Sequence, residues 1–546
     1  MMSQRPELVI GFVGPVGVRL HDLVKKTGDY LQQFKYNPVE IRLSKLLERY
    51  TGWTASPSNS EDVRILHGQK MGHEFREKLD DAAALTLAAV VAIREQRAKS
   101  PGGPDRPADA TAYLLNQLKH PKEVRLLRQI YGSSFILIAA HATKATRQDN
   151  LIRRIADSEN RTVQEDDAAK AANIIRIDDE EPALLGADHL GQNTRNTYPL
   201  ADMFVNLESS SGEFDVGRFV DLLFGHPFHT PRPDEVAMYH ASATALRSSD
   251  ERRQVGAVIV NVKRDDRKKS ASVDVIATGM NEVPMRGGGF YWDGGPHSPD
   301  ARDQFLIAWG PNDDRALTIK KDVLSELLEI LKRRQWFKDT IASTQTPALL
   351  KELIPDGLRG TQFMDIGEFQ RQVHAEMAAL IDSARRGVAV DGQTMYVTTF
   401  PCHNCAKHII AAGLRHVVYL EPYPKSRAEM LHKEEIELES KLGAPSDDKT
   451  NQSMQGDEVP KVVFSPYTGI APRQYQRLFS MLGRGKKSGG YALKDWGNNK
   501  AILPPQYIVR NAFASYLLAE RQELTRLPVE RFKWDPNIVC PTQEQK

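Results

Sequence analysis

The sequence predicts an α/β protein built from two sheet-centred units with a helical extension at its end. Three observations carry that expectation. The apolar run at residues 8–13 meets a glycine turn and then apolar residues at helical spacing, Leu20, Leu23, Val24, Thr27 and Leu31. Residues 394–399 and 417–420 read as strands on either side of a helical segment, which makes a right-handed crossover between parallel strands. Residues 254–261 and 273–279 alternate as a hairpin with a charged turn between them.

At 546 residues the chain has room for two or three domains, taking about 100–200 residues for each. Its 40% hydrophobic content supports a sizeable core. Lys and Arg number 73 against 71 Asp and Glu, a formal charge of +2, so no strong electrostatic case for duplex nucleic acid arises. Three cysteines make no disulfide framework, and a thiolate metal site suits a reducing compartment. The first seven residues are polar, and no run of 18 apolar residues occurs. A cytoplasmic protein without a membrane partner is expected.

The first unit is expected at residues 1–228. Its opening strand contains Gly11 and runs into the turn Gly14-Pro15-Val16-Gly17, followed by a helix and a second strand near residues 39–43. A glycine turn before a helix offers backbone N–H groups and the helix dipole to a phosphate. The opening resembles that of P-loop nucleotide kinases, with a parallel sheet implied. It departs from G-x-x-x-x-G-K-[ST]: Val18 and Arg19 stand where the lysine and the hydroxyl residue belong. Arg19 can replace that lysine only in part, as a planar fork in place of a point charge. Gly11, Gly14, Gly17 and Arg19 are the candidate nucleotide-binding residues, and an ordinary turn is the alternative. The apolar strand at 135–140, the basic segment holding Arg147, Arg153 and Arg154, and a strand at 201–206 extend the resemblance. Three prolines at 225–233 mark a linker whose two histidines are read as unliganded.

The second unit is expected at residues 229–481. Two stretches dominate it, His374-Ala375-Glu376 and Pro401-Cys402-His403-Asn404-Cys405. H-x-E followed by P-C-x-x-C is the signature of zinc nucleobase deaminases. His374, Cys402 and Cys405 supply three zinc ligands, and the fourth position is left to a water whose pKa falls to about 7. Glu376 is no ligand and is the candidate catalytic acid and base. After Glu376, Met377, Leu380, Ile381 and Ala384 mark a helix that ends at Gly387. Pro401 suits the start of another helix, with Cys402 and Cys405 on one face, so two helix N-termini converge on one metal. A closed structural zinc knot is the alternative, but the third cysteine, Cys540, lies far off in a polar tail.

Arg247-Ser248-Ser249-Asp250, Val255-Gly256-Ala257-Val258-Ile259-Val260-Asn261, Gly279-Met280-Asn281-Glu282-Val283-Pro284, His374-Ala375-Glu376 and the stretch from Phe400 to Ile410 follow one another in order. Together they resemble the deoxycytidylate deaminase family over residues 235–286 and 371–423. With the kinase-like first unit, the chain resembles bacterial anti-phage dCTP/dCMP deaminases. That resemblance implies a three-layer α/β/α unit with a mixed sheet of about five strands. It also implies a free deoxycytidine nucleotide as substrate, a deoxyuridine nucleotide as product, and depletion of that pool during infection. Asn281 matches the asparagine that contacts the sugar. Arg247 is a candidate phosphate contact or a helix-end cap, and Tyr423 a candidate border of the base pocket or a core aromatic. A polynucleotide deaminase and a nucleotide-sensing module with an inactive deaminase fold are the rival functions. A regulatory nucleotide or inhibitory partner at the first unit and assembly into a homo-oligomer complete the expected partners.

The second unit carries two expected insertions, 287–370 and 427–459, the first with a helix near 316–338. Residues 482–546 are a helical extension, with a helix at 507–523 whose apolar face includes Ala512, Tyr516 and Leu517.

Overall fold

A computed structural model describes residues 5–185, 190–208, 211–251, 253–265, 270–294, 300–302, 315–337, 344–353, 371–421, 426–438, 460–480, 496–500, 503–505, 513–527, 533–534 and 536–539. Five parallel strands form most of the first sheet: β1 (Leu8–Val13), β2 (Asn37–Arg42), β3 (Thr111–Asn116), β4 (Phe135–His141) and β5 (Met203–Asn206). The spatial order from one edge is β5-β4-β1-β3-β2. β1 is buried along its whole length, and β4 all but its last residue, which explains their unbroken apolar runs. The chain leaves β1 towards β2 and leaves β4 towards β5 on the opposite side. The connections therefore diverge between β1 and β4, and a crevice opens beyond their C-terminal ends, where the turn at 14–19 lies.

The second sheet has the order β10 (Ile436–Leu438), β11 (Val462–Pro466), β9 (His416–Glu421), β8 (Thr394–Thr399), β6 (Gly256–Asp265) and β7 (Ser270–Met280). β6 and β7 form the expected hairpin, and β6 also pairs antiparallel with β8. β8, β9 and β11 run parallel. A sixth strand, β10, joins the five that were expected. It lies in the second insertion, after a single helical turn, Ala428–Leu431. The helices Ala375–Arg386 and His403–Ala411 pack one face of this sheet through Ala375, Ala379, Ala406 and Ile409. The helix Pro233–Ala245 packs the other through Ala237, Met238 and Ala241, giving three layers. In the first insertion the described helices are Arg315–Arg333 and Thr346–Glu352.

The two sheets are tied together. A two-residue strand, β12 (Gly469–Ile470), follows β11 and pairs antiparallel with β5 of the first sheet. Glu235, 1% exposed, accepts from Arg218 at 2.8 and 2.9 Å and from Ile470 N at 3.1 Å, joining the helix Ser211–Leu223 to the second unit. The helix Phe513–Leu524 returns to the first unit. Its buried Glu520 accepts from Arg97 at 2.8 and 2.9 Å and from Tyr131 Oη at 2.9 Å, while Arg97 also binds Glu7. Among the described residues no helix is long and apolar enough to cross a membrane.

Candidate active site

Two helix starts and two glycines build the site. His374 is the N-cap of Ala375–Arg386 and Cys402 the N-cap of His403–Ala411, both with extended backbone. Cys405 follows one turn into the second helix. The first helix sits close on β7 because position 279 is glycine: a Cβ there would lie 2.2 Å from Ala375 O and 2.3 Å from Ala379 N. Gly256 does the same for the helix on the opposite face, where a Cβ would lie 2.0 Å from Ala241 O. Gly387 ends the first helix in the left-handed conformation, φ 68°, as its position in the sequence suggests.

This arrangement brings His374 Nδ1 to 3.4 Å from Cys402 Sγ and 3.4 Å from Cys405 Sγ. The candidate ligand atoms of the three residues all lie within 4.8 Å of one another. His374 is exposed, Cys402 half-buried and Cys405 buried, so the group is reached from one side. A hydrogen bond from Cys405 pulls the Cys402 thiol down to about 4, with His374 adding to the effect. The same contact and burial push Cys405 well above the usual thiol range. The hydrogen bond with Cys402 raises His374 to about 8. Glu376, 4% exposed, is pushed up to about 7 by burial and then by the charge of Cys402. Two thiols and an imidazole facing one point fit a zinc ion with three protein ligands. Among the described residues no further His, Cys, Asp or Glu joins them.

Beside this group, residues 281–283 lace two loops together. Asn281 Oδ1 accepts from Val255 N at 2.7 Å, and its Nδ2 donates to Arg253 O at 2.8 Å. Ser248 Oγ donates to Asn281 O at 2.6 Å. Glu282, which the sequence reading did not single out, is 1% exposed and accepts from Ser249 N, Ser249 Oγ and Val283 N. Its backbone pairs in both directions with Val373, immediately before His374. No spacing or periodicity marks Glu282; the one available signal was an acidic residue between the loop asparagine and an apolar residue. Arg253 forms an ion pair with Glu421 at the end of β9.

Arg247 faces a neighbouring cavity. Its guanidinium stacks on Trp292 at 3.5 Å and donates to Phe290 O at 3.2 Å and Tyr291 O at 3.1 Å. It lines a cavity of about 620 Å³ with Met280, Trp292, Val373 and Arg385, and neither His374 nor the cysteines line that cavity. Tyr423 and Cys540 lie outside the described residues. In the first unit, Gly11 is set by packing, since a Cβ there would lie 2.5 Å from Leu118 Cδ1. Gly14 faces Ala140 O at 3.3 Å in the same sense, and Gly17, at φ 88°, faces Arg147 O at 2.6 Å. The Arg19 side chain is 70% exposed and paired with Asp22. Asp221, His226 and His229 form a second group of potential ligands. There the two imidazoles stack at 3.7 Å, and Lys500 Nζ stands 3.4 Å from Asp221 with the positive charge a cation would bring.

Residues 231–421 match the family model described as "Cytidine and deoxycytidylate deaminase zinc-binding region". The deoxycytidylate deaminase of Enterobacteria phage T4 is 43% identical over 58 residues, 11% of this chain and 30% of the phage protein. Human deoxycytidylate deaminase is 43% identical over 47 residues, 9% of this chain and 25% of that protein. The chain thus spans about a third or less of the length of the curated relatives it matches. Among solved structures, the apo dCMP deaminase of cyanophage S-TIM5 aligns at 16% identity and a TM-score of 0.19, over 44% of this chain and all of that one. Shikimate kinase from Acinetobacter baumannii aligns at 13% identity and a TM-score of 0.22, over 41% of this chain and 96% of that one.

Proposed function

We propose, from a chain whose residues 231–421 match the cytidine and deoxycytidylate deaminase zinc-binding region, that the protein hydrolyses free deoxycytidine nucleotides, dCTP and/or dCMP, to deoxyuridine nucleotides. The observation that carries the reading is the pairing of a three-donor group, His374, Cys402 and Cys405, with the buried carboxyl of Glu376, two residues after His374 at the start of the same helix. His374, Cys402 and Cys405 would hold a zinc ion, which would supply a water with its pKa lowered to about 7. Glu376 moves the protons. A buried carboxyl, its pKa raised by burial, can accept a proton from the attacking water and donate to the ring nitrogen and then to the departing amine. The C4–O bond forms, the C4–N bond breaks, and ammonia leaves. Asn281 and Glu282 hold the loops beside this group, and the deoxyribose contact assigned to Asn281 belongs to the same reading.

Each turnover removes one deoxycytidine nucleotide. The resemblance to anti-phage deaminases supports reading that depletion as antiviral defence; in this reading residues 1–228 restrain the activity through a regulatory nucleotide or an inhibitory partner, and the chain acts as a homo-oligomer. The balanced formal charge of +2 supports a free nucleotide over a polynucleotide.

The test is to incubate purified protein separately with dCTP, dCMP, CTP and single-stranded DNA and to identify the deaminated product. Conversion of dCTP or dCMP is expected. Product from DNA alone would replace the reading with a polynucleotide deaminase. No product from protein that holds its zinc would make the fold a sensing module.

A further inference from the structure

The turn at residues 14–19 precedes the helix Leu20–Gln33 and lies at the crevice between β1 and β4. In a sheet of this kind that place receives a phosphate, held by backbone N–H groups and a lysine. Here it is filled from within. Asp178, on the helix Glu165–Leu185, accepts from Val16 N at 2.8 Å through Oδ2 and from Lys119 Nζ at 3.1 Å through Oδ1. The Asp178 side chain is fully buried and the Lys119 side chain 14% exposed. One backbone N–H and one ammonium, the donor types that hold phosphate oxygens, are thus committed to a single carboxylate. Lys119 is absent from the turn itself and comes from the loop after β3, so the missing lysine of the motif has a counterpart supplied by the fold.

The neighbouring helix closes over the same turn. Arg147 Nε donates to Val16 O at 2.8 Å, and Asn150 Nδ2 donates to Gly17 O at 3.1 Å. Gly17 approaches Arg147 so closely that no side chain fits between them. Val16 then packs with Leu151, Ile155, Ala171, Ile174 and Ile175 in a small buried cluster separate from the cores of the sheets. The helices Lys144–Ser158 and Glu165–Leu185 therefore sit on the turn as a unit with its own core, and Asp178 supplies that unit's carboxylate contact with the turn.

We infer that Asp178 is a built-in anion: it occupies the phosphate position of this turn and bars a polyphosphate from the first unit until it is withdrawn. This deepens the regulatory reading of residues 1–228 and is independent of the deaminase chemistry, because its test reads phosphate binding and no turnover. A buried carboxylate needs its partners to remain charged, and a seat that is mostly filled lowers the apparent affinity of any competing ligand by the fraction of molecules in which it is open.

The experiment is a calorimetric titration of the full chain with sodium tripolyphosphate. It compares the unmodified protein with Asp178→Asn, Asp178→Ala and the double variant Asp178→Asn/Lys119→Ala, each checked for zinc content and circular dichroism. Asp178→Asn keeps the shape and an acceptor for Val16 N but loses the charge that holds Lys119, so it remains informative if the alanine variant does not fold. Tripolyphosphate is expected to bind Asp178→Asn at least about tenfold more tightly than the unmodified protein. The gain should vanish in the double variant. Equal binding by the unmodified protein and Asp178→Asn overturns the inference, since Asp178 would not then be the occupant. Absence of binding to a folded Asp178→Asn also overturns it, since the turn would then be no phosphate seat.

Discussion

Replacing Asn281 with alanine separates a side chain that touches substrate from one that holds the fold. The amide makes two bonds to the backbone, from Val255 N at 2.7 Å and to Arg253 O at 2.8 Å, in a residue only 8% exposed. Alanine removes both partners at once. An unpaired buried donor or acceptor costs about 1–3 kcal/mol. Arg253 is exposed, so water can repair its carbonyl, whereas Val255 is partly buried. The expected loss is therefore about 2–3 kcal/mol, in the lower half of the range for two groups. In a unit of this size 1 kcal/mol moves Tm by roughly 2–4 °C, so the holoenzyme should melt roughly 4–12 °C lower. Asn281→Asp keeps an acceptor for Val255 N but sets a second oxygen against Arg253 O, and should recover about half of that loss. Calorimetric melting and kcat/KM for dCMP and dCTP are measured on the same preparations. An unchanged Tm would refute the reasoning, since the two backbone bonds would then contribute nothing measurable, while a fall in kcat/KM beyond what the melting explains would report the deoxyribose contact.

Glu376→Gln should keep its zinc by elemental analysis and lose turnover by at least about a hundredfold, as expected for removal of a general acid and base; a zinc-free variant would show that Glu376 is a ligand after all. Cys402→Ala should lose both zinc and melting temperature, because metal binding contributes to folding free energy, and a variant that binds zinc normally would remove Cys402 from the ligand set. Gly279→Ala puts a Cβ 2.2 Å from Ala375 O, so it should lift the 375–386 helix off β7, at about 1–3 kcal/mol for an overpacked contact, and weaken zinc retention; normal zinc content and normal melting would show that the close approach is not what seats the helix. Glu520→Ala strands buried Arg97 and Arg94 with less opposing charge, and a loss of about 3–5 kcal/mol is expected in urea denaturation, with no shift in midpoint counting against the network as the anchor of the C-terminal helix.

What could be read from the chain alone was local. His374 and Glu376, and Cys402 and Cys405, are two and three residues apart, so a helix start and one helical turn decide where each pair points. The strands carry their own periodicity for the same reason, and Gly387 marks a helix end because its left-handed φ is a property of that one residue. Contacts between distant segments were a different matter. Arg247 had two readings from sequence, and its placement on Trp292 depends on the path of the turn at 284–291, which no periodicity encodes. Strands β10 and β12, three and two residues long, are too short to alternate visibly, and they are held by backbone bonds that almost any residue can make. Glu520 meets Arg97 across 423 residues, and Asp178 meets Val16 across 162. An acidic residue carries no sign of which distant N–H or guanidinium it will face, because that is settled only when packed surfaces exclude water and leave each buried charge with the partner the fold brings to it.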